Sequence, residues 1–240
     1  MKFTINKNII VEALSNAVRA LSTKITIPVL NGILLNLTND GLEVQASDSE
    51  LTIKTTIEAK NIVNIEKEGR AVLQSRCLLE IIRKMPSEII NFELTENNNI
   101  KIYSDINEYI IECYNIGEYP NIALEKSQNT IYLESKILKE MINQTSYAMS
   151  MQEVRPLLTG LNLKINGDIL ECTATDSYRL SKKTVKLKDS INSNINIVIP
   201  GKSVNELVYI LKDEGNVEID LFKNKVLFHY NNILFQTALL

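Results

Sequence analysis

A single histidine, His229, stands in 240 residues. It lies in an alternating, strand-like stretch, whereas a Ser-His-Asp or Cys-His catalyst needs its imidazole beside a nucleophile and an orienting acid. The chain also lacks a GxxxxGK-Ser/Thr phosphate loop, a GxGxxG turn and an HExxH helix, so the common nucleotide and zinc-peptidase signatures are excluded. No Asp or Glu pair clusters with histidine or cysteine as a metal site requires. The three cysteines, Cys77, Cys113 and Cys172, are far apart with no CxxC. All three sit in apolar-periodic segments, which reads as buried thiols in a reducing compartment. No apolar run reaches the roughly 18 residues of a membrane span, and the start MKFTINKNII lacks the apolar core of a signal peptide. Net charge is −3, so no global basic character announces nucleic acid. Catalytic residues, metal and cofactor are not expected.

What the chain does have is a duplication. Pro28 to Thr52 aligns without a gap on Pro156 to Leu180 at an offset of 128 positions. Pro28, Gly32, Leu35, Asp40, Leu42, Glu43, Ala46, Asp48 and Ser49 meet identical residues at 156, 160, 163, 168, 170, 171, 174, 176 and 177. Such self-similarity is settled before any other reading. It favours two domains, 1–125 and 126–240, each of ordinary size. The copies diverge after the shared turn. The first continues Glu50-Leu51, the second Tyr178-Arg179-Leu180. An aromatic, a cation and an aliphatic suggest that the second copy gained a binding surface.

Taken in order, Lys2 to Ile5 alternates as a strand. Asn6 or Asn8 caps a helix to about Leu21, with Ile10, Leu14, Ala17, Val18 and Leu21 on one stripe. Strands follow at 33–37, 42–47 and 51–57, with turns at Asn39-Asp40-Gly41 and Asp48-Ser49. A second unit has a strand at 70–73, a helix capped by Ser75 and running to Met85, and strands at 89–94, 99–104 and 109–114. Tyr119-Pro120 and the polar run 125–129 form the link. The second half repeats the plan: a strand at 131–133, a helix from Ser135 to about Ser150, and three strands through Lys186. Then come a strand at 195–199, a helix at 202–212, and strands at 217–221, 225–230 and 233–239. The last strand stops at Leu240 without turn or polar tail, which reads as an interrupted chain.

The order of units, the Lys2-Phe3-Thr4 start, IPVLNGILL at 27–35, Tyr119-Pro120-Asn121, Gln152-Glu153-Val154-Arg155, ATDSYRL at 174–180 and VIPGKSVNEL at 198–207 together resemble the bacterial sliding clamps, the β subunits of the DNA polymerase III holoenzyme. The resemblance covers the whole chain and corresponds to the first two of the family's three domains. It implies an α+β DNA-clamp fold, with helices on the inner face and antiparallel sheets on the outer face. It also implies a head-to-tail ring dimer around double-stranded DNA, in the bacterial cytoplasm at the nucleoid, that catalyses nothing. Such a ring tethers the replicative polymerase by raising its effective concentration. The clamp loader and repair proteins are the other implied partners, through short linear motifs.

By position, the resemblance assigns DNA contact to Lys24, Arg76, Arg83, Gln152 and Lys202. It assigns a partner-peptide pocket to Leu158, Thr175, Ser177, Tyr178, Arg179 and Leu180. It assigns the ring joint to Cys77, Ile81 and Met85 on a helix, with Tyr109 and Ile111 on an edge strand, as exposed apolar groups that need covering. Without the third domain the joint has no complement, so 1–240 is expected to be a monomer. The sequence departs from the family in three places. Pro156-Leu157 stands where many relatives carry aromatics, Tyr178 where a histidine is frequent, and Ser177 where a glycine is frequent.

Charge gives a separate line of argument. The four helical segments with their adjoining residues carry ten cations against four anions, leaving −9 for the rest. That fits a ring that accepts DNA inside and repels it outside, through phosphate contacts that carry no sequence information. The same lysines also suit a plainer role, complementing helix dipoles on a solvated face. Two other functions stay open: an interaction scaffold that does not touch DNA, and a metal-dependent hydrolase built on Asp48 and Asp176. For those two aspartates the plainer role is a turn in which the carboxylate accepts backbone hydrogen bonds.

Overall fold

The computed structural model describes residues 1–22, 27–127 and 130–240, and within these the side chains of 76, 77 and 189–193 are not described. The chain divides into two compact units, Met1–Ala123 and Leu124–Leu240, just before the boundary expected at 125.

The first unit contains β1 (Lys2–Asn6), α1 (Lys7–Ala17), β2 (Gly32–Thr38), β3 (Gly41–Ser47), β4 (Leu51–Glu58), β5 (Ile62–Lys67), β6 (Gly69–Gln74), α2 (Ser75–Lys84), β7 (Ile89–Leu94), β8 (Asn99–Tyr103) and β9 (Glu108–Tyr114). Its strands pair antiparallel in the order β4-β3-β2-β6-β9-β8-β7-β1-β5. Phe3 lies opposite Phe92 across β1 and β7, and their rings stack with centroids 4.8 Å apart. α1 buries Ile10, Ala13, Leu14 and Ala17 and packs on β3, β4 and α2. Its Asn6 side chain accepts from the Asn8 amide at 3.0 Å, the N-cap read from the sequence.

The second unit contains β10 (Thr130–Glu134), α3 (Ser135–Thr145), β11 (Gly160–Thr175), β12 (Leu180–Pro200), α4 (Gly201–Ile210), β13 (Asn216–Leu221), β14 (Lys225–Tyr230) and β15 (Ile233–Ala238). β10, β13, β14 and β15 pair antiparallel in that order, and β11 and β12 form a separate long hairpin. α3 and α4 pack on each other and on that hairpin.

Several elements differ from expectation for identifiable reasons. The helices are shorter. A 3-10 turn at Val18–Ala20 takes over from α1, and another at Ser146–Ala148 from α3, because apolar spacing at i, i+3 suits either geometry. Ser75 and Ser135 do not cap. Each is the first helical residue, and their hydroxyls donate to the carbonyls of Asn31 and Lys212, both at 2.6 Å. The strands expected between Gly160 and Pro200 merge into β11 and β12. Around Gly167, which has φ of 61°, the register shifts, so the chain bulges there instead of turning. β5 had no counterpart in the sequence reading. It is a mostly exposed edge strand whose Asn, Glu and Lys show no inward alternation.

Candidate functional site

The duplicated turn is the same object in both units. Asp48 Oδ1 accepts from the amides of Glu50 at 3.1 Å and Leu51 at 2.8 Å. Asp176 Oδ1 accepts from those of Tyr178 and Arg179, both at 3.0 Å. Ser49 and Ser177 follow with φ of 82° and 78°, a left-handed conformation uncommon outside glycine and found in turns. The backbone amides of Arg179 and Tyr178, aided by the Arg179 guanidinium, hold the Asp176 carboxyl below its ordinary value. Each aspartate is thus occupied by its own turn, which leaves the hydrolase reading without a carboxylate in waiting.

What the turn presents differs between the copies. In the first, Leu51 is 1% and Thr52 3% exposed, and the Thr52 hydroxyl bonds Ser47 Oγ at 2.8 Å. In the second, the matching positions are Arg179 and Leu180. Leu180 is 64% exposed and its neighbour Tyr178 98%. The Thr175 hydroxyl donates to the Arg179 carbonyl at 2.7 Å. Arg155 Nη1 donates to Ser177 Oγ at 3.4 Å, which ties the preceding segment to the hairpin end. Half-buried Leu158 lies on that segment, in the 3-10 turn Pro156–Thr159. Thr175, Ser177, Tyr178, Arg179 and Leu180 are therefore gathered at one hairpin end, with Leu158 on the segment bound to it. The sequence reading missed Tyr147. This exposed residue has its ring 5.6 Å from the Arg179 guanidinium, and it stood concealed in what read as the end of a helix.

The helix pairs α1/α2 and α3/α4 hold the candidate DNA-facing groups. Arg83 is exposed and donates through Nη2 to Ser15 Oγ at 2.9 Å, joining α2 to α1. Lys202 is exposed at the start of α4, and Gln152 is exposed on the loop before β11. Lys24 lies outside the described residues, and Arg76 falls on α2 with its side chain undescribed. Within their observed bounds the four helices carry seven cations against four anions. The excess is smaller than expected, because Arg19 falls in the 3-10 turn after α1, Lys212 falls beyond the end of α4, and Lys24 is not among the described residues. Several of the seven already have partners: besides Arg83, Lys84 lies 4.0 Å from Glu80. Lys7 Nζ donates to the Met85 carbonyl at the end of α2 at 2.9 Å, and Lys139 pairs with Asp213 at 2.8 Å.

The expected joint surface needs correction. Met85 is 1% and Ile111 9% exposed, so both belong to the core of the first unit. Ile110, on the opposite face from Ile111, is 63% exposed, and Tyr109 near the start of β9 is 37% exposed. The strand is an edge over only part of its length. It pairs with β8 from Glu108 to Glu112 and reaches β6 at Cys113 and Tyr114, since β6 ends where α2 begins. Ile81 is half-buried on α2, and the Cys77 side chain is not described.

Elsewhere, His229 lies on β14 with Nε2 2.9 Å from the Asn231 carbonyl oxygen and Nδ1 3.6 Å from Glu218. Burial pushes the Cys113 and Cys172 thiols up to about 11 and about 12. Among the described residues no group of three or more His, Cys, Asp or Glu is placed to hold a metal. No helix among them is long and apolar enough to cross a membrane.

Comparison with known proteins identifies the family. Residues 1–123 match the family model of the DNA polymerase III beta subunit, N-terminal domain, and residues 132–240 match that of its central domain. The beta sliding clamp of Bacillus subtilis is 38% identical over 245 residues, covering all of this chain and 65% of the relative. That of Staphylococcus aureus is 35% identical with the same coverage. The crystal structure of the DNA polymerase sliding clamp from Bacillus subtilis superposes with a TM-score of 0.95 over 100% of this chain and 64% of that one, at 38% identity. The DNA polymerase III beta chain of Streptococcus pneumoniae does so at 0.94 and 32%, over 100% and 64%. The chain thus spans about 65% of the length of the relatives it matches. With two successive domain models of one family along its length, it belongs to the DNA polymerase III beta subunit family, the bacterial sliding clamps.

Proposed function

We propose that the chain supplies two domains of a sliding clamp, a processivity factor that encircles duplex DNA without regard to sequence and tethers the replicative polymerase. It performs no chemistry of its own. Its action is to keep a partner at high effective concentration beside the template. The observation that carries this reading is the tandem, in-order match to the N-terminal and central clamp domains along the chain. In this reading the helix pairs face DNA, with Arg83, Lys202, Gln152, Arg76 and Lys24 as contacts. Arg83 and Lys202 are exposed on these helices, and few contacts suit a protein that must slide. The hairpin end at Thr175–Leu180, with Leu158, receives linear motifs of the polymerase, clamp loader and repair proteins. Tyr109, Ile110 and Ile81, with Cys77, form the side of a head-to-tail joint whose complement lies on another surface.

The test is fluorescence anisotropy of duplexes of unrelated sequence, with wild-type protein and with Arg83→Glu, Lys202→Glu and the double variant. Weak, sequence-independent binding is expected, with a log-log salt slope that falls by about 0.9 for each phosphate contact removed. Unchanged affinity and slope in the double variant refute the DNA-facing assignment and favour an interaction scaffold that does not touch DNA.

A further inference from the structure

The guanidinium of Arg179 is held in place from outside its own hairpin. Its Cζ lies 5.6 Å from the centroid of the Tyr147 ring, and Tyr147 belongs to the 3-10 turn that ends α3. The two segments are fastened beside this contact, where Ser181 Oγ donates to the Gln144 carbonyl at 2.8 Å. On the other side Arg179 Nε donates to Asp176 Oδ2 at 2.9 Å. The side chain is therefore fixed between a ring and a carboxylate that is itself pinned by two backbone amides. Its two terminal nitrogens make no hydrogen bond among the described residues, although the side chain is 57% exposed. Leu180 and Tyr178 stand exposed beside it, as does Tyr147 at 60%. A second guanidinium, that of Arg155, reaches the same turn through Ser177.

We infer that Tyr147 is a positioning residue of the partner site: it holds Arg179 ready for a carboxylate on a linear peptide whose apolar side chains cover Leu180. The inference rests on the partner-site reading above and adds to it a residue and a preferred ligand charge. A long cationic side chain loses rotamer freedom when it engages a ligand, and one already stacked on a ring has lost much of it beforehand. Two guanidiniums at the hairpin end against the single carboxylate of Asp176 favour an anionic group in the partner. Arg179 is suited to that contact because its planar fork pairs with a carboxylate while its face rests on an aromatic ring.

The experiment titrates the protein with two labelled hexapeptides that are identical but for one position, Asp or Asn, flanked by leucine and phenylalanine. Wild type, Tyr147→Phe and Tyr147→Leu are compared. Wild type is expected to prefer the Asp peptide, and Tyr147→Phe, which keeps the ring, to retain the preference. Tyr147→Leu is expected to reduce the Asp-to-Asn affinity ratio by about three- to tenfold, with little change for the Asn peptide. An equal loss for both peptides, an unchanged ratio, or no Asp preference in wild type overturns the inference while leaving the partner site in place. Failure of wild type to bind either peptide removes the partner-site reading, and the inference with it.

Discussion

The exchange Leu180→Thr with its reciprocal Thr52→Leu separates surface kept for binding from surface kept for folding. The two positions match in the duplication, yet Leu180 is 64% and Thr52 3% exposed. Fully burying a leucine side chain is worth about 1.5–3 kcal/mol. With roughly two thirds of that area still open, a partner that covers Leu180 gains about 1–2 kcal/mol, and Leu180→Thr should weaken peptide binding about 5- to 30-fold. Its effect on stability should stay within about 0.5 kcal/mol, as for other surface substitutions. Thr52→Leu should do the opposite. It forces a larger side chain into a filled site and removes the hydroxyl that bonds Ser47, for a combined cost of about 2 kcal/mol or more. Peptide binding at the second unit should not change. Urea denaturation followed by thiol labelling, resolved by mass spectrometry, reports each unit through its own buried cysteine: Cys113 for the first and Cys172 for the second. If Leu180→Thr shifts the Cys172 midpoint by as much as Thr52→Leu shifts that of Cys113, or leaves peptide binding intact, the division is wrong.

Three further outcomes follow from particular contacts. Lys7→Met should destabilise the first unit by about 1 kcal/mol, because the Met85 carbonyl at the end of α2 loses its ammonium partner, and duplex affinity should hold; denaturation and anisotropy check both. Burial pushes the Glu43 carboxyl up, but hydrogen bonds from Lys54 and Asn36 outweigh it and hold the group below its ordinary value of 4.5. A depressed folded value means that the stability it contributes is present above the unfolded value and lost as pH falls through the folded one. Glu43→Gln should therefore flatten that part of the acid limb in a pH series of denaturation midpoints. The Cys172 thiol, pushed by burial up to about 12, should label at pH 8 only as fast as its unit opens, and addition of urea should accelerate it.

The parts legible in the sequence were those that repeat or that follow one chemical rule. Asp48 and Asp176 sit in identical contexts, and both carboxylates accept backbone amides as an Asx turn requires. The divergence after them marks Tyr178, Arg179 and Leu180 in the sequence itself, since one copy keeps Leu51-Thr52 where the other has Arg179-Leu180. What stayed hidden depends on tertiary context. The apolar spacing at Met85 and Ile111 says only that the residues are apolar, and both turned inward while Ile110 took the exposed position. Gly167 resembles a turn residue in the sequence and is a bulge in the pairing. β5 buries little of its length, so it left no periodic signal. Tyr147 gave no signal because its partner, Arg179, is far along the chain and meets it only once α3 packs on the hairpin.

The solution mass of residues 1–240 by light scattering, with and without nicked circular duplex, tests the assembly most directly. The account predicts a monomer of 27.2 kDa that the circle does not retain, because unlike surfaces must meet to close the ring. A closed oligomer of 1–240 that stays on nicked circular DNA and leaves when the circle is cut would contradict the account of the joint.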